Sequence, residues 1–380
     1  MKPLEDLLII DFSQFLSGPL AGLRLADLGA RVIKVEKKGE GDLSRTRYNS
    51  NLDLNGASSI FHSLNRNKES FEADLKNQED LDKIKDLIKQ ADVVIQNFRP
   101  GVFERLGLGY EVIKNLNPKI IYAEVSGYGK IQSWKNKPGQ DLLVQALSGI
   151  TGLTGNATDG SVPMGLAVAD IFAGNHLAQG VLAAVLQRAI KGVGCKIQVS
   201  LLESIFDLQF EMLTTYFQDG GADTIRTETN NAHAYLGAPY GIYKTENGYL
   251  AIAMASIPQL GLLLNCEQLL DFEQPALWFS KRNEIKGILA YHLLSRTTEY
   301  WLGCLEPADI WCAEVLDWKG LIKKNGFKEL GMIQEVKMTD GFTYHTTRCP
   351  ITIDSVNFHS GIAAPLLGEN TKAICKEFNL

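Results

Sequence analysis

One carboxylate stands alone in "VPMGLAVADIFAGNHLAQGVLAAVLQR", residues 162–188. Asp170 lies where an apolar, strand-like run meets a long helix of small residues, and no Lys or Arg occurs within seventeen residues on either side. Two readings account for an Asp there. Its side chain can cap a helix that starts at this point, by accepting a backbone N–H. Alternatively it does chemistry, as a carboxylate nucleophile. Spacing alone leaves both open, although an Asp directly before a helix is most often a cap.

Other kinds of chemistry have less support. Cys195, Cys266, Cys304, Cys312, Cys349 and Cys375 are scattered without a C-x-x-C pair, and no His is placed to complete a zinc site. Neither a metal site nor a disulfide framework is expected. A net charge of -6 with no basic stripe argues against nucleic-acid binding. The first residues, "MKPLEDLLII", lack the pattern of a signal peptide, and no uninterrupted apolar stretch approaches the roughly 20 residues of a membrane span. A cytoplasmic protein without a membrane partner is expected.

Asp170 must be positioned by elements that alternate along the first 200 residues. "LLIIDF" reads as a buried strand, "SQFLSGP" as a loop and "LAGLRLADLG" as a helix, with Pro19 in its first turn and Gly29 at its stop. The strand "ARVIKVE" comes next. The alternation continues through "DLDKIKDLIKQA", "DVVIQNF", "YEVIKNLN" and "KIIYAEVSGYG", which predicts an α/β fold with a parallel sheet and helices on both faces. Glu36 ends the second strand as a ribose-binding acid would. The loop "DFSQFLSGP" lacks the G-x-G-x-x-G glycines that admit a pyrophosphate, so dinucleotide binding is not expected.

From Asp170 a helix is expected to about Ile190, capped by Gly192 or Gly194. Residues 216–234, polar and glycine-bearing, read as a linker. "GIYKTENGYLAIAMA" reads as a hairpin turning at "ENG", and residues 259–328 as helices with loops.

Six segments resemble the family III CoA-transferases, the CaiB/BaiF family, in order across nearly the whole chain. They are "DFSQFLSGPLAGLRLADLGARVIKVEKKGEGD", "LNRNKESFEADLK", "ADVVIQNFRPG", "IYAEVSGYG", "GQDLLVQALSGITGLTG" and "APLLGEN". The resemblance implies a Rossmann-like large domain built from both chain ends (residues 1–215 and 325–380) and a smaller middle α+β domain (235–324). It also implies two chains interlocked as a homodimer.

The same resemblance makes Asp170 the nucleophile that carries CoA from an acyl-CoA donor to a carboxylic acid acceptor. The carboxylate would attack the thioester to give a mixed anhydride, then an aspartyl-CoA thioester, with backbone N–H groups at the helix start stabilising the charges. CoA would be a substrate, with no cofactor bound permanently and no metal. Lys37, Lys76 and Arg105 match positions near the nucleotide. Ala73, Leu75 and Phe98, with Asn97 beside them, match the adenine site. Tyr128 matches a tyrosine close to the aspartate.

Some positions depart from the formyl-CoA member of the family. Its active-site glutamine is Leu16 here, a neighbouring histidine is Gln14, and a pocket tryptophan is Arg47. Arg47 reads as exposed; facing the pocket, it would pair with the second carboxylate of a dicarboxylic acid. One rival reading is an α-methylacyl-CoA racemase. That enzyme needs an acid/base pair at the positions held here by Gln140 and Ile257, neither of which exchanges a proton near neutrality. The other is a CoA-binding relative without activity.

Overall fold

Near-continuous apolar runs build the centre of the fold. The structure, a computed structural model, describes residues 2–134 and 136–380. Six strands, β1 (Leu8–Asp11), β2 (Arg31–Lys37), β3 (Lys68–Ala73), β4 (Val93–Gln96), β5 (Ile121–Ser126) and β6 (Cys195–Ser200), form one sheet. All neighbours in it are parallel, in the order β3-β2-β1-β4-β5-β6. Ile9, Ile10, Ile33, Val93, Val94, Ile95 and Ile121 are fully buried, because a parallel sheet is covered on both faces.

The helices that matter for the site are α1 (Ser17–Asp27), α2 (Gln78–Lys89), α3 (Tyr110–Leu116), α4 (Asp141–Ser148), α5 (Val168–Lys191) and α6 (Leu201–Leu208). Helix α5 ends at Gly192 in the left-handed conformation, as expected. By length and composition α5 is long and apolar enough to cross a bilayer, although Asp170, Asn175, His176 and Gln179 interrupt its apolar run. In the fold it packs on α1, α6 and β6. Gly174 permits the approach to α1, since a Cβ there would lie 2.6 Å from the Ser17 carbonyl oxygen.

The chain divides into two compact units. Met1–Val144, Ala167–Leu208 and Leu330–Leu380 form one, and Gln145–Leu166 with Gln209–Glu329 form the other. The expected small domain, 235–324, leaves out residues 145–166, 209–234 and 325–329, which belong to the second unit. Nor is the expected linker loose. Arg226 donates to the carbonyls of Thr154 and Gly160, and Asn231 Nδ2 donates to Gly155 O at 3.0 Å. Lys286, buried on a later helix, donates to Asn230 O at 3.1 Å. Polar residues that read as a linker are here spent on internal hydrogen bonds.

In the second unit β7 (Gly241–Lys244) and β8 (Tyr249–Ile252) pair as the expected hairpin. The stretch expected to be helical contains a third strand, β9 (Cys312–Glu314), which pairs with β8. Tyr243, Leu250, Leu260, Ile285 and Leu289 fill the core of this unit.

Candidate active site

Strand order reverses between β1 and β4, and ligands of such sheets bind beyond the carboxyl ends of the strands at this point. The loop leaving β1 there, Phe12–Leu16, is held from several directions. Ser13 N–H donates to Asp11 Oδ1 at 2.9 Å, and its carbonyl accepts Lys34 Nζ at 2.7 Å. Gln14 is pinned by Asn97, whose Oδ1 accepts the Gln14 N–H at 2.8 Å while its Nδ2 donates to the Gln14 carbonyl at 2.7 Å.

Phe15 has φ 65°, a conformation that is costly for a bulky residue. Its N–H donates to Asp42 Oδ1 at 3.2 Å, and Asp42 Oδ2 is paired with Lys34 at 2.7 Å. Burial opposes both of these charges, yet each supports the other. The Asp42 carboxyl lies below its ordinary range and the Lys34 ammonium above it.

The loop delivers Ser17, the first residue of α1, to Asp170. Asp170 is not a helix cap. Helix α5 starts two residues earlier, at Val168; its N-cap, Ala167, has no polar side-chain atom to accept a hydrogen bond. The cap comes from another helix. Asp141, the first residue of α4, accepts the N–H of Ala169 at 2.8 Å and of Asp170 at 3.3 Å through one oxygen, Oδ1. Two of the backbone N–H groups at the helix start, those of Ala169 and Asp170, are therefore occupied by Asp141. Burial first, and then the charge of Asp141, push the Asp170 carboxyl up to about 6, against a hydrogen bond from Ser17. A carboxylate with this environment is ionised near neutrality but more basic than usual, as a nucleophile should be.

The nucleotide-type residues gather along the carboxyl ends of β2, β3 and β4. Lys37 ends β2 opposite Ala73, which ends β3. Ala73 belongs to a buried cluster with Phe12 and Phe103, against which Leu75 and Phe98 pack. Phe98 stacks on Phe103 with ring centres 5.3 Å apart. Lys76 and Arg105 are exposed and make no ion pair among the described residues, while Lys37 pairs with Glu40 on the surface. Glu36 is unavailable to any ribose. Its oxygens accept Arg45 at 2.7 and 2.8 Å and Ser70 at 2.7 Å. Arg47, two residues beyond Arg45, is exposed and has no carboxylate partner among the described residues.

Residues 4–371 match the family described as CoA-transferase family III. The chain belongs to this family. It is 31% identical over 383 residues to the succinyl-CoA:glutarate CoA-transferase of Mus musculus, covering 99% of this chain and 86% of that one. It is 35% identical over 259 residues to the succinyl-CoA:mesaconate CoA-transferase of Haloarcula hispanica, covering 67% of this chain and 64% of that one. The crystal structure of a CaiB/BaiF family protein from Brucella suis superposes with a TM-score of 0.85 at 28% identity, covering 99% of each chain. A family III CoA-transferase acts on CoA thioesters, and the parallel α/β fold agrees with that relative.

Within this CoA-transferase the remaining expected residues are dispersed. Tyr128 is buried, but its hydroxyl donates to Pro138 O at 3.0 Å and its ring packs edge-on against Trp134; among the described residues it has no hydrogen bond to Asp170. Gln140 is exposed beside Asp141, and Ile257 lies fully buried in the core of the second unit. Four residues went unread in the sequence: Asp141, Ser17, Lys34 and Asp42. Asp141 opens a helix after "KPG" and could have been noticed as an acid at a helix start. Lys34 offered another signal, a cation in the middle of an apolar strand, which must find a buried partner.

Proposed function

We propose that this enzyme moves CoA from an acyl-CoA to a carboxylic acid through an acyl anhydride and an aspartyl-CoA thioester on Asp170. The observation that carries the reading is Asp170 itself, a half-buried carboxylate whose basicity is raised by desolvation and by Asp141, while Ser17, at the end of the switch-point loop, favours its charged form. Lys37, Lys76 and Arg105 hold the phosphates of CoA, and Ala73, Leu75 and Phe98 take its adenine, with Asn97 setting the loop beside them. Lys37 exchanges Glu40 for phosphate on binding.

The acyl donor and acceptor are dicarboxylic acids, and the second carboxylate is held by Arg47. This is supported by the exposed guanidinium of Arg47 and by relatives that act on succinyl-CoA with glutarate or mesaconate. The test is to incubate the protein with succinyl-CoA and a panel of mono- and dicarboxylic acids, without ATP, and identify new CoA esters by mass spectrometry. CoA esters of dicarboxylic acids, lost in Asp170→Ala while CoA binding persists, are expected. Full transfer by Asp170→Ala would overturn the reading.

The enzyme works as an interlocked homodimer in the cytoplasm. Leu182, Leu186 and Ile190, spaced on one face of α5, are 38%, 65% and 77% exposed, and a second copy would cover them. Light scattering at nanomolar concentration should give twice 41.9 kDa; an active monomer would contradict this.

A further inference from the structure

Asp141, 8% exposed, is brought onto the start of the helix whose third residue is Asp170. Capping alone does not require a charge there, because Asn serves as well as Asp at a helix start. A charge has a further effect. Two carboxylates brought together disfavour the ionised state of each other. Among the described residues, the groups that act on Asp170 are Asp141 from α4 and Ser17 from α1. His176, further along α5, faces Ser204 and Asp207 on α6 instead.

We propose that Asp141 is a positioning residue whose negative charge drives the acylation of Asp170, a role that rests on Asp170 being the acylated residue. In the first step a carboxylate oxygen of Asp170 attacks the thioester carbonyl carbon. The C–S bond breaks, and its electron pair leaves on the CoA thiolate, giving a neutral mixed anhydride. In the second step the thiolate attacks Cγ of Asp170. The bond from Cγ to the bridging oxygen breaks, and the donor acid leaves as its carboxylate, giving a neutral aspartyl-CoA thioester. The acceptor acid then reverses both steps.

Asp170 is negative only before the first step and after the last. Each covalent intermediate therefore lacks the repulsion present in the free enzyme, and the ionised ground state is the one that Asp141 disfavours. By occupying the Ala169 and Asp170 N–H groups, Asp141 also withdraws from that ground state the donors that a helix start normally offers a carboxylate.

The test separates charge from capping. Asp141→Asn keeps an oxygen for the two N–H groups and removes the charge; Asp141→Glu keeps the charge. With succinyl-CoA and a dicarboxylic acid, kcat/KM is followed against pH, and the covalent adduct on Asp170 is trapped with hydroxylamine and counted. For D141N with wild-type circular dichroism, the acid limb should move down by about one pH unit. The trapped adduct should fall about tenfold, with KM for the CoA ester within about twofold of wild type. D141E should keep the wild-type limb. If D141N does not fold, Asp141→Ser, another capping residue, is read in the same way. A folded, uncharged variant with wild-type limb and adduct overturns the proposal and leaves CoA transfer standing. A wild-type protein that transfers nothing overturns both.

Discussion

Asn97 holds Gln14 by both of its backbone groups, accepting its N–H at 2.8 Å and donating to its carbonyl at 2.7 Å. Asn97 directly follows β4 and Gln14 lies in the loop leaving the adjacent parallel strand β1, so this pair bridges the point where strand order reverses. Removing it leaves two backbone groups unpaired, at a cost of about 1–3 kcal/mol. Asn97→Ala should lower stability by that amount and lower kcat/KM by roughly tenfold or more as the loop before Ser17 loosens. Asn97→Asp keeps the acceptor but sets an oxygen against the Gln14 carbonyl, and should be no better than Ala. An Asp variant at the wild-type rate would show that the pair does not position the loop.

The pH dependence of the reaction should report Asp170. Its carboxyl is raised to about 6 by burial and Asp141, and only the ionised form attacks a thioester. In wild type, kcat/KM should rise about tenfold per pH unit below that point and level off above it. A limb near the ordinary range of an Asp would mean that the environment of Asp170 opens when substrate binds.

Stability should carry the same signature with the opposite sign for the wild type. A carboxyl whose folded pKa lies above its unfolded value contributes stability that is fully present below about 3.8 and is lost as pH rises through about 6. Asp170→Asn cannot ionise. It should exceed wild type in urea denaturation by about 1–3 kcal/mol near pH 8, with the advantage fading as pH falls toward 4. Equal advantages at both ends of the range would contradict this linkage.

Gly174 sets the distance between α5 and α1. A Cβ would come within 2.6 Å of Ser17 O and 3.1 Å of the Leu20 Cβ. Gly174→Ala should therefore force the helices apart, costing about 1–3 kcal/mol of stability. It should also weaken the Ser17 contact, so the acid limb of kcat/KM should move up, because Ser17 favours the charged form of Asp170. The melting temperature and the limb are measured on the same preparation; an unmoved limb in a destabilised protein would show that Ser17 does not set it.

Much of this molecule is local and was readable as such. The central strands β1, β2, β4 and β5 arise from short β-branched runs, because a sheet covered on both faces requires nearly continuous apolar side chains, whereas the edge strand β3, Lys68–Ala73, carries no such run and went unread. The cap at Gly192 reflects glycine's access to positive φ. What tertiary structure decided is where charges find partners. Glu36 stands near the end of its strand, as a ribose-binding acid would, yet Arg45 and Ser70, nine and 34 positions away, engage it. Helix α5 begins before Asp170 because Asp141, from 29 residues earlier, supplies the cap. A lone carboxylate near a helix start looks the same in sequence whether it caps or reacts. What folding adds is a second carboxylate brought beside it, since desolvation and charge repulsion act through space and not along the chain.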